Sequence, residues 1–374
     1  MYKKILIILL MSICLNAVEF DAWGHTGITA QWNLDKQTKD SYAGVSASVG
    51  FDVLFDSGIA LGLGGWAAYP IYEQMQASLK KPYRQIGVIS DAYFAYNDSM
   101  FQVALGRYDT NNIKYEWFSG HNEGISASVR ALDFMRIWGL YSYEQAFSFR
   151  KINRETYGQM NALWNYKRHN SNIDNHRNEH LVAFGIDFTI ENIFRITPYT
   201  YLVTNNFIST GFNSDLFFGN INSIYSNTSF KYTFLDELAG KNLDGHLIWI
   251  DQEFGYDWFK LGGGYYKTYA NGVQRLTYYG DKSRFYGSVI APSEYNASGK
   301  YFDKNQSSWY VFINARHEKF KIDLLYAGGS YNEISALASI ILFEHLEFGG
   351  GYVNLSTKDS PREHYITTFI KAIW

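Results

Sequence analysis

The sequence predicts an all-β fold, a transmembrane antiparallel β-barrel of about 18 strands with short periplasmic turns and longer outer loops. Three observations predict this fold class. Apolar side chains recur on every second position in segments of about ten residues, the length that a membrane-crossing strand needs. Short and long polar connections take turns along the chain. Aromatic residues make up 18% of the sequence while proline occurs only 5 times, and such a composition favours extended strands.

Residues 1–17, MYKKILIILLMSICLNA, have the pattern of a secretory signal peptide. Lys3 and Lys4 precede an apolar run that is too short to cross a bilayer as a helix, and the small Ala17 follows it. We therefore expect a signal peptide at 1–17 and one β-barrel domain at 18–374. The only cysteine, Cys14, lies in this signal, so no disulfide framework is available to the mature chain.

The segment 43–69, AGVSASVGFDVLFDSGIALGLGGWAAY, predicts a long β-hairpin. One parity carries apolar side chains such as Val49 and Phe51, and the other carries small or polar ones such as Ser48. Side chains on a strand alternate between two faces, so the hairpin has one apolar and one small or polar face. The turn signal Asp-Ser-Gly at 56–58 joins its two strands.

The same alternation recurs up to the C terminus. The other predicted strands are GITAQWNL, VISDAYFAY, MFQVALGRY, GISASVRA, MRIWGLYSY, HLVAFGIDFTI, FRITPYTYLVTN, TSFKYTFL, GHLIWIDQEF, WFKLGGGYYKTY, SWYVFINAR, KFKIDLLYA, EISALASIILF, LEFGGGYVNL and HYITTFIKAIW. A weaker segment, VQRLTYY at 273–279, completes the set of about 18 strands.

The connections between these strands alternate in length. Short links at 56–58, 97–98, 191–192, 317–319 and 344–345 take turns with long polar segments near 70–86, 109–124, 144–179, 206–224 and 280–306. The alternation fails at 254–257, where a long loop is expected and the sequence offers a short one. The strand count therefore remains open between about 16 and 18.

Lipid is the expected cover for the apolar faces. A soluble domain would need a second sheet or amphipathic helices to bury them, and the sequence shows no amphipathic helix of normal length. The chain ends in YITTFIKAIW, a strand with a terminal aromatic residue, as outer-membrane barrels commonly have. We expect the barrel-insertion machinery to recognise this strand through Trp374, and outer-membrane lipids to surround the barrel.

If the apolar parity faces lipid, the opposite parity lines the lumen and carries the charges. Lipid-facing Arg or Lys near the midplane would cost about 2–4 kcal/mol, which an inward position avoids. The basic candidates for the channel lining are Arg107, Arg130, Arg136, Arg195, Lys231, Lys260, Arg316 and Lys321. The acidic candidates are Asp52, Asp91, Asp323 and Glu347. Opposed charges would orient small polar solutes; the alternative is that they pair across the lumen and occlude it.

Two neighbouring segments resemble the outer-membrane porin D (OprD-like) family. They read DAYFAYNDSMFQVALGRYDTNN and EGISASVRALDFMRIWGLYSYEQAF, and in that family a strand ending in Leu-Gly-Arg leads through a loop to a Glu-Gly or similar pair. The resemblance also takes in the hairpin at 43–69 and extends to about residue 150. It implies an eighteen-stranded monomeric channel for small, often carboxylate-bearing solutes, with the loop at 109–124 folded inward as part of a constriction.

The sequence departs from the family pattern at Arg107. Family channels commonly use a ladder of basic residues, but Arg107 shares the parity of Phe101 and Leu105. It would face the pore only if Gly106 formed a bulge. The alternative is a rim residue that binds lipid head groups or a loop carbonyl.

Other functions have weaker support. The net charge of -3 excludes a general nucleic-acid binder, and the absence of a GxSxG or comparable motif argues against an enzyme. His169, His176 and His180 lie in a polar tract that is typical of a solvated loop, so we expect neither a metal nor a cofactor. The alternative function is an adhesin or an occluded barrel that binds ligands through the outer segments 144–179, 206–224 and 280–306.

Overall fold

In the part of the chain that the structure describes, eighteen long strands and one short strand make up almost all of the regular structure. The computed structural model describes residues 18–35, 41–74, 87–110, 115–146, 167–169, 179–220, 222–238, 240, 243–280, 283–286 and 300–374. The predicted signal peptide at 1–17 lies outside these ranges.

The strands run in chain order around the barrel. They are β1 (Val18–Asn33), β2 (Ser41–Phe55), β3 (Ile59–Gln74), β4 (Gly87–Asn97), β5 (Phe101–Asp109), β6 (His121–Leu132), β7 (Met135–Ala146), β8 (Lys167–Arg168), β9 (Leu181–Ile190), β10 (Phe194–Val203), β11 (Phe207–Gly219), β12 (Ile224–Glu237), β13 (Gly245–Tyr256), β14 (Phe259–Ala270), β15 (Ser307–His317), β16 (Phe320–Gly329), β17 (Tyr331–Leu342), β18 (Leu346–Thr357) and β19 (Ser360–Ile373).

These strands form one closed antiparallel barrel. Each long strand pairs with the next long strand, and β1 pairs with β19 in a register that sets His25 opposite Ile373. The two-residue β8 pairs with the end of β7. The rest of β7 pairs with β9, the next long strand. Closure leaves no free sheet edge, which is what a strand structure needs within a bilayer. The predicted fold class, an 18-stranded antiparallel barrel, is confirmed.

Strand β13 shows how the alternation divides the side chains between two faces. Ile250 and Phe254 are 47% and 49% exposed on the outside, whereas Leu247 and Trp249 are 0% and 2% exposed on the inside. Aromatic side chains concentrate on the outside near both rims, as lipid-facing barrels require at the two membrane interfaces. They include Phe134, Phe218, Tyr256, Trp258 and Phe343 near one rim and Trp32, Tyr69, Tyr265, Trp309 and Tyr326 near the other.

The two rims differ in the length of their connections. One rim carries only short turns, at 56–58, 98–100, 133–134, 191–193, 220–223, 257–258, 318–319 and 343–345. The other rim carries the longer connections, together with three tight ones at 204–206, 330 and 358–359. The start of β1 and the end of β19 both lie at the short-turn rim, since Val18 pairs with Phe55 and Ile373 donates a hydrogen bond to the His345 carbonyl.

Two predicted elements are wrong, and their errors cancel in the strand count. The segment 206–224 is mainly strand β11 and not a long loop. Its outward face includes Thr210 and Ser214, so the apolar alternation that marks other strands is weak. Once β11 is counted, the short connection near 254–257 falls on the short-turn rim, where a tight turn belongs.

The second error concerns residues 273–279, which were expected to form a strand. Residues Gln274–Tyr278 form a 3-10 helix inside the barrel. Val273, Leu276 and Tyr279 are buried at a spacing of three residues, which matches the period of a 3-10 helix. Within the described ranges, no helix has the length and apolar character needed to cross a membrane.

Within the described ranges, side chains fill one side of the barrel interior and leave the other side open. Large inward side chains of β7 and β9–β19, such as Trp138, Tyr201 and Tyr310, pack into one buried cluster. Side chains of the connections after β5 and β14, such as Trp117 and Phe302, join this cluster. The inward positions of β2 and β3 carry mainly glycine, serine and alanine, so the opposite side of the lumen retains open space.

Candidate functional site

The open space is a cavity of about 870 Å³ against the wall formed by β1–β6. It extends from Trp66 and His121, which lie toward the long-loop rim, to Gly58 and Asn97 at the short-turn rim. Its polar lining includes His25, Ser48, Asp52, Asp91, Tyr93 and Lys371. A cavity of this size accommodates a small organic solute.

Glycines on the inward faces of β2 and β3 create this cavity. A Cβ atom on Gly62 would lie 2.1 Å from the ring of Tyr93, and one on Gly50 would lie 2.3 Å from the ring of Trp23. Both distances are far below van der Waals contact, so only glycine lets these rings lie against the wall. The small face noted in the sequence at 43–69 is therefore the floor of the cavity.

Polar contacts orient the groups that line the cavity. Tyr93 Oη donates a hydrogen bond to Asp52 Oδ1 at 2.8 Å. Ser90 Oγ donates to Asp91 Oδ2 at 2.6 Å, and the other oxygen of Asp91 lies 3.6 Å from His121 Nδ1. The two predicted acidic candidates of this half of the barrel thus line the same cavity.

The connection between β5 and β6 enters the barrel, as the resemblance implied for the loop at 109–124. Within its described part, the side chains of Tyr115, Trp117 and Phe118 are almost completely buried. Trp117 Nε1 donates to Tyr199 Oη at 2.9 Å. Residues 111–114 of this loop lie outside the described ranges.

A second inward segment follows β14 and was not anticipated as part of the interior. Phe285, Tyr301 and Phe302 pack in the buried cluster. The amide of Gln145 joins the two segments, since its Nε2 donates to the backbone oxygens of Ser119 and Tyr279 at 2.7 and 2.6 Å. Together the two segments occupy part of the lumen, and the space that stays open lies on the side that holds the cavity.

Several of the predicted basic residues form ion pairs inside the barrel. Arg136 and Arg195 both bind Asp187, at 2.5 and 3.2 Å. Lys231 Nζ lies 2.5 Å from Glu116 Oε1 of the first inward segment. These contacts hold the wall and the inserted segment in place, and they lie on the filled side of the barrel.

A second set of pairs lies toward the short-turn rim. Glu347 binds Lys321 at 3.2 Å and Lys371 at 2.8 Å, and it accepts a hydrogen bond from Ser339. Lys260 lies 3.7 Å from Glu253. Lys321 and Glu347, proposed independently from the sequence, therefore lie in direct contact.

Arg284 is an interior charge that the sequence did not indicate. It lies on the second inward segment, and its guanidinium binds Asp251 at 2.6 Å and Glu253 at 3.0 Å. The same group stacks on Phe312 at 3.9 Å. Its charge is permanent, because the two carboxylates raise the pKa of Arg284 further above its usual value despite burial. Loop residues have no periodicity, so alternation could not have found it.

Three further candidates differ in their surroundings. Asp323 is 1% exposed and accepts a hydrogen bond from Asn314. Arg316 lies opposite Lys321 in the register of β15 and β16. Arg130 is exposed near the short-turn rim, opposite Arg136.

Arg107 stands apart from the inward set. It lies opposite Glu123 in the register of β5 and β6 and binds it at 2.8 Å. Gly106 has a positive φ of 110°, yet the pairing with both neighbouring strands continues without a register shift there. Arg107 therefore keeps the parity of Leu105, which is 53% exposed on the outside.

The histidine tract does not converge on one point in its described part. His169 is buried and bonds Ser142 at 2.7 Å, and burial lowers the pKa of His169 to about 4. His180 instead stacks on Tyr141. His176 lies outside the described residues. Among the described side chains, no group of three or more potential metal ligands occurs.

Comparisons with known proteins agree with this architecture. A family model described as "Putative outer membrane protein" matches residues 36–343. A search of curated proteins finds no match. Among solved structures, OccAB4 of Acinetobacter baumannii is 9% identical with a TM-score of 0.71, covering 96% of this chain and 98% of that chain.

Two further structures share the fold. The BenF-like porin from Pseudomonas fluorescens Pf-5 is 9% identical with a TM-score of 0.69, covering 95% of this chain and 98% of that one. OccD1 (OprD), in a doubly substituted form, is 8% identical with a TM-score of 0.66, covering 95% of each chain. The resemblance to the porin D family is thus confirmed at the level of the fold.

The closed barrel, its apolar outer face and its two aromatic belts define an integral protein of the bacterial outer membrane. The chain belongs to the outer-membrane protein family whose model it matches over most of its length.

Proposed function

We propose that this protein is a porin, a passive diffusion channel for small polar or charged solutes, including those that bear a carboxylate. The observation that supports it best is the 870 Å³ cavity, which extends along β1–β6 beside the inward segments. The printed name of one structural relative, a BenF-like porin, agrees with a channel function.

The charged candidates divide into two roles in this proposal. Asp52, Asp91 and the Lys321–Glu347 contact lie on or near the open side and act on the solute. Arg136, Arg195 and Lys231 lie in ion pairs on the filled side and hold the constriction in shape. Opposed charges in a narrow lumen orient a polar solute and set ion preference.

The alternative function is an occluded barrel that binds ligands through its outer segments. The observation that favours it is the aromatic cluster, which fills much of the interior with side chains such as Tyr301 and Phe302. The segment 206–224, expected to be one of the ligand-binding loops, is mainly a barrel strand. The adhesin hypothesis therefore loses one of the three outer segments on which it depended.

The C-terminal strand supports a proposal about assembly. Trp374 is 52% exposed, and its backbone exchanges hydrogen bonds with Gly24 of β1. We propose that the barrel-insertion machinery recognises this strand through Trp374 before β19 pairs with β1, and that outer-membrane lipids then cover the apolar face.

Single-channel recording tests the proposed function. The refolded chain from Val18 to Trp374 is inserted into a planar bilayer, and its reversal potential is measured under a salt gradient. Steady current steps with a definite ion preference are expected. A folded, inserted barrel that carries no current would contradict the channel and favour the occluded barrel.

A further inference from the structure

The lining of the large cavity has an excess of negative charge. Asp52, Asp91 and Asp109 line it together with one lysine, Lys371. These four groups alone, three carboxylates and one ammonium, carry a formal charge of −2, and His121 of the same lining lies 3.6 Å from Asp91. Lys371 is also held by Glu347 at 2.8 Å, which further reduces its influence on a solute.

A second, independent feature of the cavity consists of buried polar atoms that have no hydrogen-bond partner in the described part of the chain. They include Nε2 of His25 and Nε1 of Trp66. Both side chains are more than nine-tenths buried, with exposures of 7% and 8%, and both line the cavity. Buried polar atoms are nearly always hydrogen-bonded, so these two point to a polar occupant.

The positions of these rings are fixed by their neighbours. His25 Nδ1 is bonded to Ser48 Oγ at 2.6 Å, which leaves Nε2 as its other ring nitrogen. The ring of Trp66 packs edge-on against His25, with centroids 4.4 Å apart. The indole N–H is a fixed donor, so an occupant must offer an acceptor to Trp66 as well as a group for His25.

Aromatic faces also line the cavity. The rings of Trp23 and Tyr93 lie close against Gly50 and Gly62 of the glycine floor, and both contribute to the lining. An aromatic face attracts a cation, and the carboxylate of Asp52 is held beside Tyr93 at 2.8 Å. Carboxylates and aromatic faces together favour an ammonium or guanidinium group over an anion.

We propose that this cavity is a binding subsite for a small organic cation, a solute with a primary amine or guanidinium group and at least one further polar group. Asp52 and Asp91 bind the cationic group, and His25 and Trp66 bind the polar group. This proposal rests on the proposed channel function and narrows its solute class. A dicarboxylate would meet like charges on the same wall, which disfavours its binding.

Current block in single channels tests the subsite. Putrescine and succinate serve as probes, each added to a wild-type channel in the planar bilayer. Putrescine is expected to interrupt the current at lower concentration than succinate. Removing a charge-assisted hydrogen bond weakens binding by about tenfold or more, so Asp52→Asn and Asp91→Asn should each raise the half-blocking putrescine concentration by at least about that factor.

Asp215→Asn is the matched control. Asp215 lies on the inward parity of β11, hydrogen-bonds Ser229 and lines a different cavity near the short-turn rim. This variant removes one lumen carboxylate without touching the subsite, so putrescine block should stay within about twofold of wild type.

The outcomes separate the two proposals. A wild-type protein that conducts but is blocked by succinate in preference to putrescine overturns the subsite and leaves the channel intact. Equal block in wild type, Asp52→Asn and Asp91→Asn also overturns it. A wild-type barrel that does not conduct contradicts the channel itself. The comparison of putrescine with succinate uses only the wild-type protein. The subsite can therefore still be tested if one of the variants fails to fold.

Discussion

The ammonium group of Lys231 lies 2.5 Å from the carboxylate of Glu116, and the two residues are 115 positions apart in the chain. Lys231 belongs to strand β12 and Glu116 to the inward connection after β5. Both side chains are largely buried, and the ammonium also lies 4.7 Å from the ring centre of Trp249. The pair therefore anchors the constriction to the opposite wall of the barrel.

We expect Lys231→Met to loosen this anchor. Removing one partner of a buried ion pair costs about 3–5 kcal/mol, because the other charge stays buried without compensation. Single-channel currents should become larger and noisier as the inward segment moves. The double variant Glu116→Gln/Lys231→Met should recover much of the wild-type behaviour, since it leaves no unpaired charge.

Lys319→Met is the control for this experiment, because Lys319 lies in a short turn and is exposed. Wild-type currents are expected from it. If Lys231→Met gave the same current amplitude and noise as Lys319→Met, the anchoring role would be wrong.

Gln145→Leu should release the two inward segments from one another. The variant leaves the carbonyl oxygen of Ser119 without its side-chain donor, and an unmade buried hydrogen bond costs about 1–3 kcal/mol. The Ser119 amide bonds the Tyr279 carbonyl, and its hydrogen exchange should accelerate by roughly fivefold to a hundredfold. Gln252→Leu, on the outward face of β13, serves as the control; equal exchange in both variants would refute the link.

Gly62→Ala tests the glycine floor of the cavity. The added methyl group would meet the ring of Tyr93 at 2.1 Å, so the ring must move into the cavity. We expect a lower single-channel conductance and a loss of about 1–3 kcal/mol in stability, as overpacking usually causes. Gly65→Ala is matched on the same strand, because its nearest neighbour would be the Val88 carbonyl at 3.5 Å. Indistinguishable conductance in the two variants would contradict the account of the floor.

The turn between β4 and β5 gives a pH-dependent prediction. Asp98 accepts hydrogen bonds from the backbone amides of Met100 and Phe101 at 2.7 and 2.6 Å, and these bonds lower the pKa of Asp98. A carboxyl whose folded pKa is depressed stabilises the fold above its unfolded pKa, and this contribution is lost as the pH falls through the folded pKa.

Asp98→Asn should therefore lower the Tm at pH 7, with a difference from wild type that shrinks as the pH is taken below the ordinary range of an aspartate. Asp133→Asn, in the next short turn, is the control. A Tm difference for Asp98→Asn that did not change with pH would show that the charge of Asp98 has no part in the turn.

The wall of the barrel could be predicted from the sequence because lipid imposes one rule on every strand. Outward positions such as Phe51 and Ile250 must be apolar, and this alternation is visible in a single sequence. The rule fails where it is weakly obeyed, as in β11 with Thr210 and Ser214 outside. The same rule wrongly predicted a strand around Leu276. Val273, Leu276 and Tyr279 are apolar or aromatic at a spacing of three residues, and this spacing was the available signal for a 3-10 helix.

The interior could be predicted only in part. Parity indicated inward positions for Lys321 and Glu347, and these two residues are in contact. Parity could not indicate which charges meet across the lumen, since Arg284 and Glu116 come from connections whose course depends on tertiary packing. Arg107 could face the pore only if Gly106 formed a bulge, and an unbroken register between β5 and β6 pairs it with Glu123.

The central claim is that solutes pass along the β1–β6 side of the lumen and not through the filled side. Because Cys14 is the only cysteine, a chain that begins at Val18 carries no thiol, and single cysteines can be introduced at Ser48, on the cavity wall, and at Ser335, on the filled side. A charged methanethiosulfonate reagent is then added to open channels. Stepwise loss of current is expected for Ser48→Cys and no change for Ser335→Cys; the reverse pattern would contradict passage along the β1–β6 side.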